Sequence, residues 1–215
     1  INIFMKKGLI FDLDGTLWNA LVPLCESWNL AMKDNKLPYR FDIKTMTSFM
    51  GLTPEETVPL AFKGVDFKTG LSYFEICLHR EIEYLAIHPG TLYPHEEEVL
   101  ADLAKSYPLY IVSNSGKGYV ENYLNALHMG KYFSGHLCVG DTNLVKYQNI
   151  LYFKEKEKLD EIIYIGDTQK DKDESERAGV NFIHANYGFG KIPHELHYID
   201  SLLDLKKEVK AIFKD

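Results

Sequence analysis

Five short apolar runs punctuate the chain at Gly8–Phe11, Leu109–Val112, His136–Val139, Ile162–Ile165 and Val180–Ile183. Each is bounded by polar or turn-forming residues and has the length of a strand buried on both faces. From the second run onward they alternate with stretches of helical periodicity, Lys117–Leu127, Tyr147–Leu159 and Gln169–Ala178, and a last helix is predicted at Leu202–Phe213. Such alternation predicts an α/β fold, a doubly wound parallel sheet of the Rossmann-like kind. The interval between the first two runs breaks the rhythm. It holds no convincing strand, but helical patterns at Leu17–Lys33, Pro54–Phe62 and Phe67–Ala86, with Thr53-Pro54-Glu55-Glu56 as an N-terminal capping signature. The economical division is a helical insertion over residues 17–88, leaving 1–16 and 89–215 for the core, with Pro94–Lys105 as the helix that leads back into it.

Composition narrows the class without choosing the chemistry. The chain of 215 residues is 46% hydrophobic and 26% charged, enough to bury one core with a smaller appendage. A formal charge of -7 with no basic patch argues against a nucleic-acid or anionic-membrane surface. Cys25, Cys77 and Cys138 are too scattered for a disulfide framework or a zinc site, and are read as reduced core residues. Lys6-Lys7 precedes an apolar run that Asp12 interrupts far short of the ~7–15 residues of a signal core. A cytoplasmic, monomeric protein is expected, with Met5 read as the natural start and residues 1–4 given no function. Trp18, Trp28 and Tyr73 are read as packing residues.

The chemistry gathers where the strands end. Asp12 and Asp14 leave the first run two residues apart, so in an extended segment both carboxylates point the same way. Two such groups repel unless a cation joins them, and a hard divalent ion such as magnesium suits carboxylates that also meet phosphate oxygens. A lone Asp-X-Asp-Gly would equally be a solvated turn. The second run ends in Ser113-Asn114-Ser115-Gly116, which either caps a helix or meets a phosphate oxygen. The fourth ends in Gly166-Asp167-Thr168-Gln169-Lys170-Asp171. There Asp167 is placed to share a metal with Asp12, and Asp171 either holds a metal-bound water or a lysine, or only complements the helix dipole.

Taken together, in this order, the segments resemble the motifs of the haloacid dehalogenase (HAD) superfamily. Asp12-Leu13-Asp14-Gly15-Thr16 is similar to motif I, Ser113-Asn114 to motif II and Gly166–Asp171 to motif IV. Lys146 fits the lysine of motif III, although Tyr147 stands where many relatives have proline and Lys131, Lys154 and Lys156 are nearby competitors. The helical insertion resembles a C1-type cap, and Gly188-Phe189-Gly190 resembles a stretch common in the phosphoglycolate phosphatase-like branch.

The resemblance implies a phosphatase for a small phosphorylated metabolite, with magnesium (Mg2+) as cofactor. Asp12 would be the nucleophile that becomes an aspartyl-phosphate, and Asp14 the general acid and base. The metal would be held by Asp12, the Asp14 backbone carbonyl and Asp167, with Asp171 behind them. Ser113 and Lys146 would bind the phosphate, and Thr16 and Asn114 would help position the groups around it. Two competing functions are a sugar phosphomutase, disfavoured because Thr47–Leu52 in the cap carries no arginine, and a non-catalytic phosphate-ligand binder, disfavoured because Asp12 and Asp14 are both intact.

Overall fold

The computed structural model describes residues 5–215; the reading of residues 1–4 lies outside them. The strands are β1 (Lys7–Phe11), β2 (Trp18–Asn19), β3 (Thr91–Leu92), β4 (Leu109–Ser113), β5 (Gly135–Cys138), β6 (Glu161–Gly166), β7 (Asn181–Ala185) and β8 (Tyr198–Ile199). Six of them form one parallel sheet in the order β5-β4-β1-β6-β7-β8. The five apolar runs supply five of the six. The edge strand β8 escapes the pattern because it is two residues long.

Period-two alternation explains why these strands read as continuous apolar runs. Leu9, Phe11, Ile111, Ile163 and Ile165 belong to one buried cluster, and Ile10, Tyr110, Val112, Ile162 and Tyr164 to another. The first cluster also contains buried residues of α5 (Glu96–Leu103), α6 (Tyr119–Ala126) and α10 (Leu205–Phe213). The second takes in Ile150 and Phe153 of α8 (Lys146–Lys156) and Ala178 of α9 (Gln169–Ala178). Val139, read above as the end of a strand, instead opens the short α7 (Val139–Thr142), because the Asp141 carboxylate accepts from the Cys138 amide and turns the chain. All three cysteines are buried and free.

The segment after β1 is helical, as its periodicity predicts, with α1 (Leu21–Asp34), α2 (Ile43–Phe49), α3 (Pro54–Ala61) and α4 (Phe67–Leu85). Thr53 opens α3 with its amide on the Glu56 carboxylate at 2.7 Å. Helix α2 has no strong propensity in Ile-Lys-Thr-Met-Thr-Ser-Phe, and is held by Asp42, which accepts from the Thr45 amide, and by burial of Met46 and Phe49. Trp28 is the hub of the layer, edge-on to Phe41 at 5.3 Å and to Phe74 at 5.6 Å and stacked with Phe62 at 6.4 Å. Strand β2 takes the first residues that were read as helix and pairs antiparallel with β3, Trp18 with Leu92 and Asn19 with Thr91. Among the described residues no helix is long and apolar enough to cross a membrane.

Candidate active site

Register brings the strand ends together. Phe11 stands opposite Ile111 of β4 and Ile165 of β6, so the residues that follow these strands emerge along one edge of the sheet. The Asp12 amide donates to the Ile165 carbonyl at 2.8 Å, which fixes the nucleophile candidate beside Asp167. Above this edge, between sheet and helical layer, lies a cavity of about 250 Å³. Asp12, Asp14, Ser113, Asn114 and Lys146 line it. Thr16, Asp167 and Asp171 do not: Thr16 and Asp171 are fully or almost fully buried, and so is Asp167, underneath the floor.

Lys146, 2% exposed at the first turn of α8, is the hub of the charged group. Its ammonium donates to Asp12 Oδ1 at 2.8 Å and to Asp171 Oδ1 at 2.6 Å. Burial would depress the lysine, but the charges of Asp12 and Asp171 outweigh it and hold it well above its ordinary range. Burial would likewise raise Asp171, yet Lys146 and the Thr168 hydroxyl hold it below the usual carboxylate range. Of the alternatives read for Asp171, its contacts in the structure are with the lysine, and it also accepts from the Thr168 amide at the start of α9. Asp12, pushed up first by burial and then by the Asp171 charge, reaches about 7 despite Lys146.

Asp167 is hemmed in by backbone. Its Oδ2 accepts from the Phe189 amide at 2.7 Å and from the Gly190 amide at 3.3 Å. A β-carbon on Gly188 would stand 2.4 Å from the Asp167 β-carbon and 2.3 Å from the Gly15 carbonyl, so only glycine fits there. Gly15 has φ +78°, the left-handed turn by which the chain leaves Asp14. Asp167 Oδ1 is buried and has no hydrogen-bond partner among the described residues. Burial, then the charges of Asp171 and Asp12, push Asp167 well above the ordinary carboxylate range. One oxygen each from Asp12, Asp167 and Asp171 lies within 4.8 Å of the others, so the three could hold a metal ion. An orphaned buried oxygen beside under-compensated carboxylates is the donor set a hard divalent cation requires.

Asp14 is set apart from this group. Both Tyr119 Oη, at 2.8 Å, and Trp18 Nε1, at 3.0 Å, donate to its Oδ1. Burial raises Asp14 to about 6 against these two hydrogen bonds. Ser113 is buried and its hydroxyl accepts from the Ser115 amide at 3.2 Å. Asn114 donates from Nδ2 to the Gly51 carbonyl at 3.1 Å, tying the strand end to the loop between α2 and α3. Lys170 and Glu56 form an ion pair across the same gap.

Four contributors were not foreseen as site residues. Trp18 and Tyr119 clamp Asp14, while Trp28 and Glu81 face the cavity from the helical layer. The tryptophans, read as packing from the sequence, pack indeed but also present their indole N–H groups to carboxylates. Trp18 lies only four residues from Asp14, but Tyr119 meets Asp14 across 105 residues and Trp28 meets Glu81 across 53, so no local spacing marks these three.

The fold and this edge of carboxylates define a class of hydrolase, and comparison with known proteins agrees. The haloacid dehalogenase-like hydrolase model matches residues 9–185, and the chain belongs to that family. A phosphoglycolate phosphatase of Pectobacterium atrosepticum is 27% identical over 192 residues, covering 85% of this chain and 81% of its own. A phosphoglycolate phosphatase of Haemophilus influenzae is also 27% identical, over 195 residues, covering 85% and 87%. Among solved structures, a predicted phosphoglycolate phosphatase of Haemophilus somnus superposes with a TM-score of 0.79 at 27% identity, covering 97% of this chain and all of its own. These similarities place the chain in the phosphoglycolate phosphatase-like branch, as an enzyme of the phosphatase class.

Proposed function

We propose that the protein is a magnesium-dependent phosphatase that hydrolyses a small phosphate monoester through an aspartyl-phosphate on Asp12. The observation that carries this reading is the placement of Asp12 on the cavity floor, held by Lys146, with Asp14 separately clamped in the same cavity. In the first step the Asp12 carboxylate forms a bond to phosphorus as the ester P–O bond breaks, and Asp14 gives its proton to the departing oxygen. In the second, Asp14 takes a proton from water as that water attacks phosphorus and the bond to Asp12 breaks, releasing inorganic phosphate. A carboxyl near pH 6 serves both directions. Because Trp18 and Tyr119 both use Oδ1, Oδ2 is left to carry the proton.

Lys146 and Ser113 supply donors for the phosphate oxygens, while Asn114 positions the loop above them. Asp12, Asp167 and the Asp14 backbone carbonyl would hold the magnesium ion, with Asp171 supporting from behind, and Thr16 would help position the groups around the phosphate. When bound, the ion supplies positive charge between the nucleophile and the phosphate. Residues 17–88 act as a cap on a core of 1–16 and 89–215, with the β2–β3 pair as the joint. Among the described residues Lys146 is the only lysine or arginine in the cavity lining, which favours hydrolysis over a mutase that must hold a second sugar position.

The test is hydrolysis of p-nitrophenyl phosphate by the wild type and Asp12→Asn, each with magnesium or with EDTA. Turnover that requires magnesium and vanishes in Asp12→Asn is expected. Equal turnover by the variant would refute the nucleophile assignment.

A further inference from the structure

The two walls of the cavity differ in kind. The sheet side supplies Asp12, Asp14, Ser113 and Lys146, whereas the helical layer supplies mainly Leu24, Met46, Phe49, Phe74 and Leu78, the Thr57 hydroxyl and, among the described residues, a single ionisable group, Glu81 of α4. Glu81 is 4% exposed, and its Oε2 accepts from Trp28 Nε1 at 2.8 Å. That is the one hydrogen bond it receives among the described residues, and it leaves Oε1 for a ligand. The steps derived above make no use of it. A buried carboxyl in an apolar wall is unfavourable unless something repays its desolvation.

The lining holds three carboxyls, Asp12, Asp14 and Glu81, against one cation, and that cation is already shared between Asp12 and Asp171. Among the described residues the helical wall offers no arginine, lysine or histidine to meet a second negative charge on a substrate. A leaving group with a carboxylate would therefore meet hydrocarbon and no counter-charge on that wall. One with a carbon skeleton and a hydroxyl would find both complements. Resting on the phosphatase reading, we infer that Glu81 recognises a hydroxyl of the leaving group, and that the substrate is a phosphate monoester of a small uncharged polyol or sugar rather than a phosphorylated carboxylic acid. Burial pushes Glu81 up to about 8 against the Trp28 hydrogen bond, so near neutral pH its carboxyl is mostly protonated and presents both a donor and an acceptor. A site built to bond a hydroxyl discriminates against the analogue that lacks it, because its own polar group is then left unpaired.

The experiment measures kcat/KM of the full chain with magnesium on glycerol 3-phosphate, on propyl phosphate, which lacks the hydroxyls, and on 2-phosphoglycolate, which carries a carboxylate. p-Nitrophenyl phosphate reports the chemistry itself. The wild type is expected to favour glycerol 3-phosphate over each of the other two alkyl esters by about tenfold. Glu81→Ala should bring the glycerol-to-propyl ratio close to one, and Glu81→Gln, which keeps a donor and an acceptor, should retain most of it. Equal or better use of 2-phosphoglycolate by the wild type would overturn the inference. So would a ratio unmoved by Glu81→Ala in a folded protein; if that variant does not fold, the wild-type ratios decide alone. Turnover of p-nitrophenyl phosphate with flat ratios overturns this inference and leaves the phosphatase reading standing, whereas no turnover of any ester overturns both.

Discussion

Replacing Lys146 by methionine keeps the bulk of the side chain and removes the one positive charge between Asp12 and Asp171. Both hydrogen bonds, at 2.8 and 2.6 Å, are lost in a place where lysine and carboxylates are almost fully buried. Breaking a buried ion pair by deleting one partner typically costs about 3–5 kcal/mol, and here two partners are stranded, with Asp167 nearby. The penalty should depend on pH in a definite direction. Without the ammonium, the folded-state value of Asp12 rises further above its unfolded value and that of Asp171 loses the cation that holds it low and rises from below the usual range, so both groups bind protons more tightly when folded. Stability is then retained at low pH and lost as pH rises, by up to about 1.4 kcal/mol per pH unit for each group involved. Urea unfolding followed by tryptophan fluorescence, in EDTA at pH 8 and at pH 5, reads this directly. Lys146→Met is expected to be less stable than the wild type by about 3–5 kcal/mol at pH 8, with most of that deficit gone at pH 5. A deficit below about 1 kcal/mol at pH 8, or one of equal size at both values, would refute the assignment of Lys146 as the counter-charge of the cluster.

Tyr119→Phe removes a donor that favours ionised Asp14, so the carboxyl should move above about 6 and the acid limb of the kcat profile should shift to higher pH. An unmoved limb would separate Asp14 from proton transfer. Gly188→Ala drives a β-carbon into Asp167 and the Gly15 carbonyl, and should lower stability by about 1–3 kcal/mol. The same variant should weaken magnesium binding in calorimetry, and unchanged affinity would argue against Asp167 as a ligand.

The sheet was legible because its strands are buried on both faces and so read as uninterrupted apolar runs. The carboxylates were legible because they sit where those runs stop, and two of them, Asp12 and Asp14, are only two residues apart. Lys146 could be selected only by resemblance, since its partners lie 134 and 25 residues away along the chain. Helix α2 was hidden by threonines that disfavour a helix, and β2, β3 and β8 by being only two residues long. Glu81 looked like one more polar position on an amphipathic helix. Its burial follows from Trp28, 53 residues earlier, and no periodicity within α4 carries that information.

The antiparallel pairing of Trp18 with Leu92 and of Asn19 with Thr91 places the two ends of the intervening segment side by side. To the sheet, everything from Ala20 to Gly90 is the turn of a β-hairpin that has grown four helices. A turn may lengthen at little entropic expense once its stems are zipped, since closure entropy rises only with the logarithm of loop length. On the proposed reading, the residues that would choose a substrate can accordingly be rewritten wholesale between fixed stems, while the strand ends assigned to the chemistry keep their register.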